Sequence, residues 1–198
     1  MQEVVNLSAE TRESGRKPRA DAQRNRDRLL EAAKAGFTEV GPDVGLEEIA
    51  RRAGVGIGTL YRHFPTREAL IAAAYQHQME QLADAADRLS QTLPPADALQ
   101  AWLRLSVDYV GSKKVIAAAL GPGAGATPDL AASAGTRVTE ALSTLVARAA
   151  ASGDIRPDTD PKDLQRAMTG LAYGSSEPGW ETSALRLIDI LMAGLRAR

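Results

Sequence analysis

The most restrictive feature of this 198-residue chain is the stretch from Leu46 to Phe64, which reads LEEIARRAGVGIGTLYRHF. Two short helices that cross steeply need a small residue where they approach each other, and Ala50 meets that need. Four residues later, Gly54 supplies cheaply the positive φ that a tight turn requires. Apolar side chains suited to anchor both helices are Ile49, Val55, Leu60 and Phe64. This order and spacing predict a helix-turn-helix.

The rest of the chain is also patterned for helices. One helix is predicted before Gly41 and Pro42, from the spacing of Leu29, Leu30, Ala33, Phe37 and Val40. Thr66 is placed to cap a long helix that begins at Arg67 and runs to about Ser90. Further helices are predicted over 96–110, 112–120, 128–151, 161–175 and 182–196. Aromatic residues are scarce and no segment alternates convincingly like a strand, so we expect an all-α chain of about nine helices.

This pattern divides the chain into three parts. Residues 1–19 are expected to form a flexible basic arm and residues 20–66 a three-helix domain that contains the helix-turn-helix. Residues 67–198 are expected to form a second helical domain, with a connecting helix over 67–90. Residues 11–68 hold 12 Lys and Arg against 9 Asp and Glu, whereas residues 69–198 hold 12 against 14. The surplus of positive charge therefore lies around the helix-turn-helix, where it would meet phosphate.

Composition excludes several kinds of chemistry. The chain contains no cysteine, which rules out disulfides, thiolate catalysis and cysteine-based zinc sites. His63 has no catalytic or metal-ligand partner at a suitable spacing, and we predict no catalytic residue, no metal site and no cofactor. No apolar run approaches the roughly 20 residues that span a bilayer, and the first residues lack the apolar centre of a signal peptide. We therefore expect a cytoplasmic protein without a membrane partner.

Two further features have a structural and a functional interpretation. The glycine-rich run over 121–127 is similar to a phosphate-binding loop, but it lacks the characteristic lysine and no strand precedes it. We predict a connection between helices there. His77 lies on the inward face of the predicted long helix, as a core histidine or as a ligand contact.

The stretch from Arg24 to Leu70 resembles the DNA-binding domain of the TetR family of bacterial transcription regulators. The residues that carry the resemblance are Ile49-Ala50, Ala53-Gly54-Val55 and, above all, Leu60-Tyr61-Arg62-His63-Phe64 followed by Pro65-Thr66-Arg67-Glu68-Ala69-Leu70. The preceding helix is similar to the first helix of the family through Leu30, Ala33, Phe37 and Gly41. This match covers about a quarter of the chain, and the remaining domain resembles the family only in the number and length of its helices.

The resemblance implies roles for the matching positions. The helix from Ile57 would be the recognition helix in the major groove of a double-stranded operator. Base contacts would come from Ile57, Gly58, Thr59 and Arg62. A threonine can offer its methyl or hydroxyl to a base edge, and an arginine can pair with guanine. Phosphate contacts would come from Tyr61, His63 and Arg67.

Two positions depart from the family pattern, and they put some backbone contacts in doubt. Gly45 and Gly56 stand where the family usually has Ser or Thr, so the hydroxyl caps of two helices are lost at these candidate DNA contacts. Binding would then depend more on the basic arm. Arg24 and Arg26, just after the arm, would track the minor groove or phosphates with it. The alternative is that the arm is a solvated tail.

The second domain carries candidates for two further roles. Any apolar ligand is expected to meet one of the large side chains Trp102, Tyr109, Met168 and Tyr173. Helices 161–175 and 182–196 are expected to pair with their copies across a two-fold axis as a four-helix bundle. The predicted interface residues are Leu164, Met168, Leu171, Leu185, Ile188, Leu191, Met192 and Leu195. The alternative is that both helices are buried inside one monomer.

We therefore expect a ligand-responsive transcription regulator, a repressor in preference to an activator. It would bind a palindromic operator as a homodimer and be released by a small-molecule effector. One alternative is a DNA-binding regulator without such an effector, controlled by a protein partner or by its abundance. The other is an enzyme with a helical active-site domain, which would need a buried acid–base or metal cluster. The chain has no histidine after His77 to build one.

Overall fold

The structure, a computed structural model, describes residues 16–120, 128–173 and 179–197, with side chains over 20–109, 135–171 and 179–197. Within these residues the chain forms eight helices. They are α1 Arg16–Glu39, α2 Leu46–Ala53, α3 Ile57–His63, α4 Arg67–Thr92, α5 Pro95–Leu120, α6 Pro128–Ala151, α7 Pro161–Tyr173 and α8 Trp180–Leu195. The only β-type pairing in the same ranges is an isolated bridge between Ile155 and Arg196. The prediction of an all-α chain is confirmed.

Two predicted boundaries differ from the structure. Gly111 is predicted to separate two helices, but α5 continues through it. Glycine inside a helix costs about 1 kcal/mol relative to alanine, which weakens a long helix without ending it. The second difference is at the N-terminal arm, which is predicted over residues 1–19. Helix α1 already begins at Arg16, so the last four residues of that predicted arm are helical. Pro18 fits there because the first turn of a helix needs no N–H at that point. Residues 1–15 and 121–127 lie outside the described residues.

The chain divides into two compact units, Met1–Ala74 and Tyr75–Arg198, and the division falls inside α4. In the N-terminal unit, α2 packs against α1 and α3. Two predicted helix boundaries are confirmed there. Gly41, after the end of α1, has a φ of +104°, and the Ala69 N–H donates to the capping Thr66 Oγ1 at 3.1 Å. The buried side chains include Leu29, Leu30, Phe37, Ile49, Leu60, Phe64 and Leu70.

The central helix of the C-terminal unit is α5, which packs against α6, α7 and α8. Polar side chains of α5 also bind α8: Gln100 and Arg104 donate hydrogen bonds to Asp189 of α8 at 2.8 and 2.7 Å. The C-terminal end of α8 pairs with the connection after α6. There the Arg156 N–H donates to the Leu195 carbonyl at 2.8 Å.

Five residues predicted for a dimer interface are buried inside the protomer. Their exposure lies between 0% and 8%, and they are Leu164, Met168, Ile188, Met192 and Leu195. The other three predicted residues pack, partly buried, against the same core: Leu171, Leu185 and Leu191. An amphipathic helix that covers a core turns its apolar face inward, so these side chains complete the core of one chain. The interface prediction is therefore wrong for the five buried residues.

The outward face of α8 carries a different pair of apolar residues. Leu187 is 45% exposed and Ile190 is 67% exposed. Together with the partly buried Leu191 and the exposed Gly194 they follow the spacing of one helix face.

Candidate nucleic-acid interface and ligand cavity

The turn between α2 and α3 is built on Gly54. Its backbone is left-handed, with φ 65° and ψ 36°, as the sequence predicts. The Gly54 N–H donates to the Arg51 carbonyl at 3.1 Å, and the Val55 N–H donates to the Ala50 carbonyl at 3.0 Å. These bonds satisfy the last carbonyls of α2 and lead the chain directly into α3. Of the predicted anchors, Ile49, Leu60 and Phe64 are buried, and Val55 is partly buried.

The two short helices both begin at a glycine. Gly45 and Gly56 have extended φ and ψ angles, and neither start has a side-chain cap. The first N–H groups of α2 and α3 therefore lack the hydroxyl partner that serine or threonine supplies. A Cβ on Gly56 would meet nothing within 4 Å, so this position has room for a serine.

The surface of α3 contains the predicted DNA-contacting residues. Gly58, Tyr61 and Arg62 are exposed, whereas Ile57, Thr59 and His63 are partly buried. The Arg62 Nε–H donates to the Gly58 carbonyl at 3.2 Å. The side chain therefore lies along its own helix. Leu60, between these residues in sequence, is fully buried and fixes the orientation of the helix.

Three arginines of α1 have different surroundings. Arg24 and Asp21 form an exposed ion pair. The guanidinium of Arg26 lies over the Phe64 ring, 5.4 Å from its centroid. Arg28 lies directly against the turn. A terminal nitrogen of its guanidinium occupies the space next to Gly54 where any other residue would place its Cβ. The sequence analysis missed Arg28, although its spacing of four residues from Arg24 places both on one helix face.

Arg67, for which the resemblance implies a phosphate contact, hydrogen-bonds within the N-terminal unit. Its Nη1 donates to the Val44 carbonyl at 2.7 Å and its Nη2 donates to the Pro42 carbonyl. Its guanidinium also lies 5.5 Å from the centroid of the Phe37 ring. The side chain thus ties the connection between α1 and α2 to the first turn of α4. A guanidinium makes strong charge-assisted hydrogen bonds to carbonyl oxygens that lie within its reach.

Glu48 forms ion pairs with both arginines of α2. Its carboxylate accepts bonds from Arg51 Nη2 at 2.7 Å and from Arg52 Nε at 2.8 Å. Arg52 Nη1 also donates to Glu39 on α1 at 2.6 Å. The bonds from Arg51, and then from Arg52, lower the pKa of Glu48 from 4.5 to about 2. Arg52 therefore ties α2 to α1, and the two glutamates together offset the charges of the two arginines.

We expect the N-terminal unit to lose stability as the pH falls from 4.5 towards 2. A carboxyl whose pKa is lower in the folded state stabilises the fold above its unfolded pKa and loses that effect on protonation. Glu48→Gln should therefore flatten the pH dependence of urea unfolding, followed by circular dichroism, in this range. Glu47→Gln is the control, since Glu47 forms no ion pair with a described residue. Parallel profiles for Glu48→Gln and the wild type would contradict the pairing.

The C-terminal unit contains a cavity of about 210 Å³ among α4, α5, α6 and α7. Three of the predicted ligand residues, Trp102, Tyr109 and Met168, meet in its wall. The Trp102 Nε1–H donates to the Leu82 carbonyl at 2.8 Å, which fixes the indole ring. The other described lining residues are Tyr75, Met79, Leu82, Ser106, Gly135, Val138, Thr139, Leu142, Gln165 and Thr169.

Two other predictions for ligand contacts have different outcomes. The side chain of Tyr173 lies outside the described residues. His77 does not belong to the described lining, and its Nε2 shares a hydrogen bond with Gln81 at 3.1 Å. Across the described ranges, no cluster of three or more His, Asp or Glu is arranged to hold a metal ion. No helix in those ranges has both the length and the apolar character needed to cross a membrane.

Family models match both units of the chain. Residues 29–74 match the model of bacterial regulatory proteins of the tetR family. Residues 94–197 match the model of the C-terminal domain of SbtR-like transcriptional regulators. A curated relative, an HTH-type transcriptional regulator of Mycobacterium tuberculosis, is 33% identical over 94 residues. That match covers 46% of this chain and 46% of the relative, so it spans about half the length of each.

Solved structures match nearly the whole chain. A TetR transcriptional regulator from Streptomyces coelicolor is 44% identical, with a TM-score of 0.77 over 87% of this chain and 98% of that one. A TetR regulatory protein from Mycobacterium vanbaalenii is 33% identical, with a TM-score of 0.76 over 90% and 99% of the two chains. Because the SbtR-like model alone spans just over half of the sequence, this chain belongs to the TetR family of DNA-binding transcriptional regulators.

Proposed function

We propose that this regulator binds a palindromic operator as a homodimer and represses transcription until a small molecule in the C-terminal cavity releases it. The observation that carries the proposal is the continuity of α4. Leu70, near its start, is buried in the N-terminal unit, whereas Tyr75, Met79 and Leu82 line the cavity. A ligand that changes the position of α4 would therefore act on both units.

On the DNA side, the exposed surface of α3 supports direct reading of bases. Thr59 and Arg62 would contact base edges in the major groove, together with Ile57 and Gly58. Tyr61 and His63 would contact phosphates, and the backbone N–H groups after Gly45 and Gly56 would add contacts at the starts of α2 and α3. Arg24 and Arg26 on α1 would add positive charge. Two such helices in a dimer would read half-sites roughly 34–36 Å apart.

Arg62→Ala is expected to weaken operator binding by about 1–3 kcal/mol, which is roughly 5- to 150-fold. The operator would first be located by footprinting the protein on the DNA upstream of its own gene. Affinity would then be measured by fluorescence anisotropy on that site, on base-substituted sites and on random DNA. A loss confined to particular base positions supports a base contact. An equal loss on operator and random DNA would contradict it.

Arg51→Ala is a control for the effect of net charge on operator binding. Arg51 is also exposed and lies in the same motif, but it is paired with Glu48 at 2.7 Å. We therefore expect it to change operator binding much less than Arg62→Ala. Equal effects of the two substitutions would indicate that Arg62 acts only through its charge.

The outward face of α8 supports the homodimer. Leu187, Ile190 and Leu191 form an apolar stripe, and Gly194 would let a second helix approach closely. In a two-fold dimer the same helix face of both protomers forms the interface, so each protomer contributes one copy of this stripe. We propose this stripe in place of the five residues that the protomer buries.

Release by an effector requires a difference in affinity between two conformations. The ligand must bind the form that does not bind DNA more tightly, because equal affinity for both forms shifts nothing. A neighbour with the same fold, LfrR from Mycobacterium smegmatis, is solved in complex with proflavine, at a TM-score of 0.62 and 24% identity. That complex supports the view that a protein with this fold can hold a small molecule.

A further inference from the structure

The glycine of the turn between α2 and α3 leaves room for an arginine side chain. A terminal nitrogen of the Arg28 guanidinium lies in the space that a Cβ on Gly54 would occupy. Both residues are exposed. A residue with a Cβ would push the guanidinium away from the turn, and glycine does not. Gly54 therefore has a second effect on the structure, besides its positive φ.

The charge of Arg28 has no acidic partner among the residues that the structure describes. Arg24 pairs with Asp21, and Arg51 pairs with Glu48. Arg28, in contrast, forms neither an ion pair nor a hydrogen bond with a described residue. Its positive charge is therefore available to a partner of the protein.

The end of α2 explains why the guanidinium lies at the turn. Gly54 is the C-terminal cap of α2, and the last carbonyls of a helix give that end a partial negative charge. A cation is stabilised there, but a partial charge does not neutralise it. The guanidinium thus keeps its position and its five N–H donors. A negatively charged oxygen is the acceptor that such a group binds most strongly.

The turn lies directly before the helix that is proposed to read bases. Helix α3 begins at Ile57, three residues after Gly54, so the two positions are within about 11 Å of each other. The first residues of a recognition helix lie at the base edges of the major groove, and the phosphates of both strands border that groove. A cation at this turn is therefore within reach of a phosphate when α3 occupies the groove.

We propose that Arg28 binds a phosphate of the DNA backbone and that Gly54 is the positioning residue for this contact. The planar guanidinium donates two parallel hydrogen bonds to phosphate oxygens. Such a contact fixes the protein on the duplex without reading its sequence. The inference rests on the proposed DNA-binding role of α3, and it is independent of the effector and of repression.

Arg28→Gln tests the phosphate contact through the salt dependence of DNA binding. Fluorescence anisotropy on the operator and on random duplex DNA would be measured over about 50–200 mM potassium chloride. We expect a loss of about 3- to 10-fold in affinity on both DNAs. The plot of log affinity against log salt should become shallower by about 1 for each protomer. A merely structural role of Arg28 would leave this slope unchanged.

Two further variants complete the measurement of salt dependence. Arg28→Lys keeps the charge and should retain the slope of the wild type. Arg51→Gln is the control, because Arg51 is exposed in the same unit but paired with Glu48, and its slope should also be that of the wild type. A folded Arg28→Gln variant with the wild-type slope would overturn the phosphate contact. An equal change of slope in Arg51→Gln would overturn it as well.

Gly54→Asn tests the positioning role, because asparagine tolerates a left-handed backbone but adds the Cβ that displaces Arg28. We expect it to lower the affinity of the folded fraction about 3- to 10-fold, but less than about twofold in the Arg28→Gln background. Gly41→Asn is the control for a positive φ, since a Cβ there meets nothing within 4 Å, and it should leave DNA binding unchanged. Losses that combine independently in the double variant would overturn the role of Gly54.

The wild-type chain separates this inference from the proposed function. If the wild type binds its operator and Arg28→Gln keeps the salt slope, only the inference is overturned. If the wild type prefers no operator over random DNA, and Arg28→Gln still lowers the slope on random DNA, the proposed operator binding is overturned and the phosphate contact is supported.

Discussion

Leu60→Ala is expected to lower the free energy of unfolding by about 2–5 kcal/mol, whereas Tyr61→Ala, one residue later, should change it by no more than roughly 0.5 kcal/mol. Leu60 is 0% exposed in the core of the N-terminal unit. Truncating it removes apolar contacts and leaves a cavity that the surroundings fill only in part. Tyr61 is 47% exposed, so its truncation removes little packing. Urea denaturation followed by circular dichroism measures both effects.

The same two variants should differ in the way they lose DNA binding. Tyr61→Ala is expected to weaken binding about equally on all DNA sequences and to leave its salt dependence unchanged, because it removes a proposed phosphate contact that carries no charge. Leu60→Ala should lose binding in step with its unfolded fraction. If Tyr61→Ala unfolds as readily as Leu60→Ala, the exposure of Tyr61 is contradicted. If it binds DNA like the wild type, Tyr61 does not belong to the interface.

Ile188→Ala and Ile190→Ala make the same change two residues apart on α8, with opposite expected consequences. Ile188 is 0% exposed in the protomer core, so its truncation should cost about 2–5 kcal/mol of unfolding free energy. Ile190 is 67% exposed, and its truncation should leave the stability of the protomer nearly unchanged. Denaturation below the concentration at which the chain self-associates would measure the protomer alone.

Substitution of the exposed Ile190 should instead affect self-association of the chain. Ile190→Arg is expected to shift the chain towards the monomer in sedimentation at micromolar concentration, because the two-fold axis would bring an uncompensated charge against the partner surface twice. Thr182→Ala, at an exposed polar position on another side of the same helix, is the control and should not disrupt association. A wild-type protein that sediments as a monomer would contradict the homodimer. An Ile190→Arg variant that remains fully dimeric would contradict this interface.

The helix-turn-helix could be predicted in detail because its determinants are local. A glycine with positive φ at Gly54, the cap at Thr66 and the end of α1 before Gly41 each depend on residues within a few positions. The resemblance added candidate DNA contacts on α3. It also suggested a phosphate contact for Arg67, although this side chain hydrogen-bonds to carbonyls 23 and 25 residues earlier in the chain. Such a partner leaves no local signal in the sequence.

The ligand cavity was predicted in part. Trp102, Tyr109 and Met168 were candidates because large side chains are scarce in the second domain, and all three line the cavity. Its polar edge was missed. Thr139 and Gln165 lie on different helices, and the Gln165 Nε2 donates to the Thr139 Oγ1 at 3.2 Å. Their sequence separation of 26 residues gives no periodic pattern that would link them.

For this protein, the sequence by itself determined the helices, the turn at Gly54 and the family, because backbone preferences and caps act over a few residues. Only the tertiary structure decided which side of each apolar helix turns inward. Residues 182–196 are apolar around most of their circumference, so the pattern could not distinguish Ile188 from Ile190. The packing of α8 against α5 made that distinction: it buried the first isoleucine and left the second exposed.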